Sequence, residues 1–305
     1  MPRLSQAATS VVDSVLMRLA TLLSTIALFR ACQGLRPAVS RRTSRTALRS
    51  TMASFSAMAT DADVEGASER DGVVANLAAV KGRVAAAAAS KPAPPTLLAV
   101  SKLKPLSLIA AAHAARHEHF GENYVQELVE KAAAVEDGVE HLKWHFIGRL
   151  QSNKVRQLCG VKRLEAVHTV SSEKLVAKLD GAWPELQPGA GPLKVFVQVN
   201  TSGEEAKGGC EPADAPALAK LAAAAPNLQL EGLMCIGKYS GAEGDASPDF
   251  VCLRDCRDAA AAALGVEPAS LGLSMGMSHD FETAIEHDAT HVRVGSTIFG
   301  ARPAK

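Results

Sequence analysis

Two side chains in this 305-residue chain join a reactive type to an informative neighbourhood. Lys102 follows the apolar run Leu97-Leu98-Ala99-Val100. An amine at the end of a buried strand is partly desolvated, which favours the neutral form that condenses with an aldehyde. By residue type alone a solvated surface lysine is the commoner outcome, and Lys104 stands two residues on as a decoy. Arg293 lies between Val292 and Val294, so on a strand it faces the opposite way from both. A guanidinium turned into an interior is costly unless partnered. It either meets the ring nitrogen or phosphate of a cofactor, or it pairs with an interior carboxylate. Ser274-Met275-Gly276-Met277-Ser278 and Gly295-Ser296 offer hydroxyls and amides beside glycines that allow close backbone approach. Singly each is an ordinary turn; two at adjacent strand ends point to a phosphate cradle. Asn123, His145 and Asn200 are individually weak, since a lone strand histidine is more often a satisfied core residue.

These groups need a scaffold that brings strand ends together. After Pro95, short apolar or β-branched runs occur at 96–101, 117–121, 143–148, 165–170, 194–200, 228–236, 271–276 and 291–294. Ala/Leu-rich stretches with helical spacing lie between them, including 106–116, 124–135, 172–181, 216–225 and 250–263. This alternation predicts an α/β fold, a single (β/α)8 TIM-type barrel over residues 73–305. A doubly wound open sheet is the alternative, weakened because no glycine-rich dinucleotide fingerprint follows the first strand. In a barrel, polar residues should gather at the C-terminal strand ends. Lys102, Asn123, His145, Asn200, Ser274, Arg293, Gly295 and Ser296 all fall at or near such ends.

Composition narrows the rest. The chain is 47% hydrophobic but only 4% aromatic, so its core must be built from Ala, Val, Leu and Ile. Residues 1–50 hold eight arginines, no lysine and one acid, Asp13, a net of +7 against +1 for the whole chain. The remainder is therefore acidic and carries no nucleic-acid footprint. Six cysteines show no disulfide framework; Cys252 and Cys256, four apart, could share a metal but lack His or Cys partners nearby and read as ordinary thiols, and the spacing of His113, His117 and His119 runs across a helix end. Residues 1–58 read as an organellar transit peptide, with a shorter form starting at Met52 as the alternative. The apolar run Ala20–Phe29 is too short to span a bilayer. Residues 59–72 read as a linker, and Val74, Leu77, Val80 and Val84 as the apolar face of a helix.

The chain also resembles the pyridoxal-phosphate homeostasis proteins, which look like the barrel domain of alanine racemase standing alone. The matching stretches are Leu-Leu-Ala-Val-Ser-Lys at 97–102, Phe-Gly-Glu-Asn-Tyr-Val-Gln-Glu at 120–127 and Trp-His-Phe-Ile-Gly-Arg-Leu-Gln-Ser-Asn-Lys at 144–154. Val-Asn-Thr-Ser-Gly-Glu-Glu at 199–205, Gly-Leu-Met at 232–234, Leu-Ser-Met-Gly-Met-Ser at 273–278 and Val-Arg-Val-Gly-Ser-Thr-Ile-Phe-Gly-Ala-Arg at 292–302 follow in the family's order. The resemblance implies that Lys102 carries pyridoxal 5′-phosphate as a Schiff base and that Arg293 faces its pyridine nitrogen. Ser274, Ser278, Gly295 and Ser296 would hold the phosphate, with Asn123 and His145 also at the pocket. The implied role is a monomeric carrier that buffers the cofactor and delivers it to apo-enzymes, with no catalysis of its own. His279, Cys235 and the loop 206–210 depart from the family pattern. The competing reading is an amino-acid racemase of the same fold. That chemistry needs a second acid/base on the face opposite the lysine. Only nine residues follow Ser296, and the tyrosines are Tyr124 and Tyr239, so a carrier is the expectation.

Overall fold

Eight parallel strands close into a barrel in strict sequence order, β1 pairing with both β2 and β8. The computed structural model describes residues 61–135, 141–238 and 248–301. The strands are β1 (Thr96–Val100), β2 (His119–Glu122), β3 (Lys143–Phe146), β4 (Leu164–Val170), β5 (Leu193–Val199), β6 (Leu228–Cys235), β7 (Gly272–Ser274) and β8 (His291–Val294). The helices are α1 (Asp61–Ala87), α2 (Leu106–Ala114), α3 (Val125–Ala134), α4 (Val155–Cys159), α5 (Glu173–Leu186), α6 (Ala215–Ala224), α7 (Pro248–Leu264), α8 (Phe281–Glu286) and α9 (Ser296–Phe299). The expected (β/α)8 architecture is therefore the observed one, and the open-sheet alternative falls.

Strand alternation sorts side chains into two cores. Leu97 and Ala99 of β1 join the large cluster between strands and helices, whereas Leu98 and Val100 pack with Ile147 inside the barrel. Ala166, Phe196 and Met234 form a second interior cluster. On β8, Val292 and Val294 face the helices, which turns Arg293 inward as its alternation required.

Helix α1 corrects two expectations. It begins at Asp61, so most of the stretch read as a linker is helical. Its buried face is Val73, Leu77, Val80 and Val84, while Val74 is exposed. Helix α5 runs beyond Gly181 and through Pro184 to Leu186. Proline at 184 offers no N–H to the Asp180 carbonyl, one turn back. Asn227 Nδ2 donates to that carbonyl instead, at 3.2 Å. The presequence, Met52 and Tyr239 lie outside the described residues. No helix among the described residues is long and apolar enough to cross a membrane.

Candidate functional site

A cavity of about 400 Å³ opens at the C-terminal end of the barrel, lined by Lys102, Asn123, Ser278, Arg293, Gly295 and Ser296 over apolar walls from Val100, Ile147 and Met234. Six of the eight residues expected at a cofactor site thus share one cavity. Strand neighbourhood explains their meeting. Leu98 lies across from Arg293 and Ala99 from Val294, so the chain leaving β1 passes beside Gly295. A methyl on Gly295 would stand 3.3 Å from the Val100 Cβ and carbonyl oxygen. Gly148, just past β3, is packed tighter: a Cβ there would fall 1.8 Å from the Asn123 carbonyl oxygen. The glycine lets the Asn123 loop close over β3 and turn toward the cavity.

The turn carrying Lys102 is anchored on both sides. Ser101 Oγ donates to Glu122 Oε1 at 2.6 Å, and the Leu103 amide donates to Glu127 Oε1 at 2.6 Å. Lys131 ties these together, its Nζ lying 2.7 Å from Glu122 Oε1, 2.7 Å from Glu127 Oε1 and 2.8 Å from the Ser101 carbonyl. Leu103 sits at φ 60°, a left-handed conformation that an L-residue holds only under constraint. Burial raises the Glu122 carboxyl above its ordinary value, against the pull of Lys131. The anchor residues lie on β2 and α3, so the family stretch 120–127 positions the lysine as well as supplying Asn123.

Arg293 is buried, and burial pushes its guanidinium below the ordinary value, opposed by Cys235 and Asp280. Its Nη1 donates to Ser274 Oγ at 3.0 Å and its Nη2 to the Cys235 carbonyl at 2.8 Å. Among the described residues no carboxylate lies within ion-pair distance of it. Of the two readings left open for this arginine, the interior carboxylate is the one the structure removes. Ser278 Oγ accepts from the Gly295 amide at 3.2 Å, joining the two Gly/Ser segments. Asp280 accepts from the Met277 amide and so fixes the turn between them.

Two expected site residues are elsewhere. Ser274 is fully buried beneath the cavity, its hydroxyl engaged by Arg293 and by His168 Nδ1 at 2.9 Å. It supports the arginine and is not positioned to hold a phosphate. His145 is also buried, with Nδ1 3.0 Å from His168 Nε2 and Nε2 2.9 Å from His119 Nδ1. It lies inside the barrel, one layer below the cavity, because it sits two residues before Ile147 on the same inward face. His279 occupies a turn and lines the cavity. Asn200 does not line the cavity. Sequence reasoning missed Lys131, Glu122 and His168. His168 and Glu122 stand on strands otherwise destined for burial, a signal that Lys131, on an amphipathic helix, did not share.

The cavity passes one test for a polar ligand without reference to other proteins. Asn123 Oδ1 is buried there with no hydrogen-bond partner, a state a folded protein rarely keeps unless something else supplies the donor. Asn123 and the Arg293 guanidinium, which has no carboxylate partner among the described residues, line one space, as suits an anionic heteroaromatic ligand.

This barrel and site define the class built on the N-terminal domain of alanine racemase, whose family model matches residues 75–303. An alanine racemase of Corynebacterium glutamicum superposes with a TM-score of 0.60 at 14% identity, over 77% of this chain and 62% of that one, a likeness of fold alone. The pyridoxal phosphate homeostasis proteins of Caenorhabditis elegans and Homo sapiens are 46% and 42% identical over 68% and 76% of this chain, and 86% and 87% of theirs. PipY of Synechococcus elongatus, solved with PLP bound, has a TM-score of 0.61 at 33% identity, covering 75% of this chain and 100% of that one. The chain belongs to the pyridoxal phosphate homeostasis protein family.

Proposed function

We propose that this protein binds pyridoxal 5′-phosphate in the barrel-mouth cavity and serves vitamin B6 homeostasis by buffering the cofactor and delivering it to apo-enzymes as a monomer, without a reaction of its own. The observation that carries the reading is the pairing, at one cavity, of a lysine just past β1 with an arginine on β8 that has no carboxylate partner. Lys102 would hold the cofactor, Arg293 would face its ring nitrogen, and Ser278, Gly295 and Ser296 would hold its phosphate. When bound, the cofactor supplies an aldehyde that a lysine amine can take up reversibly.

The protein's own groups favour holding over catalysis. A permanently charged guanidinium opposite the ring nitrogen keeps that nitrogen from being protonated, which weakens the ring as an electron sink. Among the described residues lining the cavity there is no tyrosine; His279 beside it lies 3.3 Å from the Asp280 carboxylate. Lys104 also lines the cavity, and its Nζ donates to the Ala301 carbonyl at 2.7 Å. We read it as the amine that assists release.

The test is a spectrum. Protein incubated with pyridoxal 5′-phosphate is expected to show a violet-region band, and borohydride should fix the cofactor to the peptide containing Lys102. Lys102→Ala should stay colourless. Fixation on another lysine overturns the assignment, and clear turnover of any amino acid by the loaded protein overturns the carrier role.

A further inference from the structure

The floor of the cavity continues downward as a line of imidazoles. From Arg293 the contacts run to Ser274 Oγ at 3.0 Å, to His168 Nδ1 at 2.9 Å, from His168 Nε2 to His145 Nδ1 at 3.0 Å, and from His145 Nε2 to His119 Nδ1 at 2.9 Å. The line crosses the barrel interior, through β7, β4 and β3, to the start of β2. His291 of β8 flanks it, with ring centroids 5.7 Å from His168 and 6.4 Å from His145. His168 also stacks on Phe196, centroids 4.2 Å apart.

The proton positions follow from the network. Arginine only donates, so Ser274 Oγ accepts from it. The Ser274 hydroxyl is fully buried and must place its own proton; its other contact is His168 Nδ1. Ser274 therefore donates to His168 Nδ1, which puts the His168 proton on Nε2. That N–H donates to His145 Nδ1, and the His145 proton is again on Nε2, donated to His119 Nδ1. Each bond points the same way, away from Arg293. Each lone pair along the line is aimed back toward it.

A buried guanidinium ordinarily needs a carboxylate or must face a large desolvation cost. Here the aligned dipoles supply part of that stabilisation, because hydrogen bonds in a chain polarise one another. Unlike a carboxylate, they leave the net charge on Arg293 in place for whatever enters the cavity.

We propose that Ser274, His168, His145 and His119 form a single-tautomer hydrogen-bond chain that holds Arg293 in its charged, cavity-facing state, making His168 and His145 positioning residues of the site. The chain stands in the unliganded protein; only its consequence for affinity rests on the cofactor reading above. Its surroundings keep it neutral. Burial lowers His145 and His168 well below the ordinary imidazole value, with His119, His291, Lys143 and Lys194 adding to the effect at His145, and His145, His291 and Arg293 at His168. At the far end burial and Lys143 lower His119, with Lys194 assisting and Glu165 and Glu118 opposing.

The experiment is long-range proton–nitrogen correlation NMR on unliganded protein labelled with 15N-histidine. His168, His145 and His119 are each expected as the Nε2–H tautomer. His168 and His145 should stay neutral from about pH 8 to about pH 5.5, a range in which an ordinary histidine becomes charged. An Nδ1–H tautomer or an imidazolium at His168 or His145 near neutral pH overturns the proposal. His145→Leu removes the acceptor for His168 and should give a mixed His168 tautomer and a roughly tenfold loss of pyridoxal 5′-phosphate affinity. His145→Gln keeps one acceptor and one donor and should recover most of that loss. Wild-type affinity and an unchanged His168 tautomer in His145→Leu would refute the chain. Should His145→Leu fail to fold, the wild-type spectra and His145→Gln still decide. If the wild-type protein binds no pyridoxal 5′-phosphate while the tautomers are as expected, the cofactor reading fails and the chain survives.

Discussion

The cavity is flanked by two buried cations that the fold treats in opposite ways. Lys131, beneath the Lys102 turn, is enclosed by Glu122, Glu127 and the Ser101 carbonyl, all within 2.8 Å. Arg293, on β8 at the other side of β1, has a hydroxyl, a carbonyl and the imidazole chain behind them. The first arrangement is closed: the ammonium is met by two carboxylates inside the protein, which leaves Glu122 Oε2 and Glu127 Oε2 without hydrogen-bond partners, and its product is a fixed backbone turn. The second is open: the charge is solvated but not cancelled, and its unmet part faces the cavity. Two positive side chains of similar burial thus have different jobs, and the partner chemistry distinguishes them better than burial does.

Removing each cation should expose the contrast. Lys131→Met leaves two carboxylates close together and desolvated, which is expected to cost about 3–5 kcal/mol of stability. Urea unfolding measures it, and adding Glu122→Gln should restore part of the loss. Arg293→Met removes a charge with no ionic partner. It leaves one hydroxyl and one carbonyl short of a donor, a penalty of about 1–3 kcal/mol, offset in the unliganded protein by relief of the buried charge. We expect a smaller net loss of stability than for Lys131→Met, together with loss of cofactor binding. Equal destabilisation by the two substitutions would end the distinction.

The pH dependence tests the neutral side of the comparison. His117 is lowered to about 4 by burial, then by Lys81, and His291 to about 3 by burial, then by His119 and Lys194. Unfolded, each takes up a proton near 6.5, while the folded protein does not until far lower. The unfolded state therefore binds more protons between these values. Stability from keeping the rings neutral is complete above about pH 6.5 and is lost as pH falls. Each such ring contributes up to about 1.4 kcal/mol per pH unit in that window. Glu122 has the opposite sign, since its folded value is raised: acidification through the carboxylate range relieves it. Thermal melts between pH 7 and 4 should show a steep acid loss that His291→Phe makes shallower. A flat profile would mean the rings are protonated in the folded protein.

The sequence carried the barrel well, because each strand's inward and outward residues differ in kind and the helices between them have clear periods. Arg293 was legible for that reason: Val292 and Val294 fixed its direction. Ser274 and His145 were placed at the right strand ends but at the wrong depth. A barrel interior has layers, and two residues along a strand separate the mouth from the core beneath it, a distinction that alternation alone does not contain. The Lys131 cluster was invisible for another reason. Its members are spread over the β1 turn, β2 and α3, and amphipathic helices routinely carry lysine and glutamate at such spacing on solvated faces. The start of α1 was missed because an acidic, polar stretch reads as linker until a folded neighbour gives its following turns something to pack against.

The smallest expected effect concerns Lys102 and Lys104, the two amines at the cavity. Lys104 donates to the Ala301 carbonyl from a half-buried position, so Lys104→Ala should cost about 0.5–1.5 kcal/mol at most. Its value lies in kinetics. If Lys104 assists release, the variant should bind pyridoxal 5′-phosphate with near-normal affinity and the same absorption band, yet transfer it more slowly to an apo-enzyme. An unchanged transfer rate would leave Lys104 as a tie for the Gly300–Ala301 segment and assign exchange to Lys102 and the recipient's own amine. Either result separates the lysine that holds the cofactor from the lysine that borders it, which their types and spacing could not do.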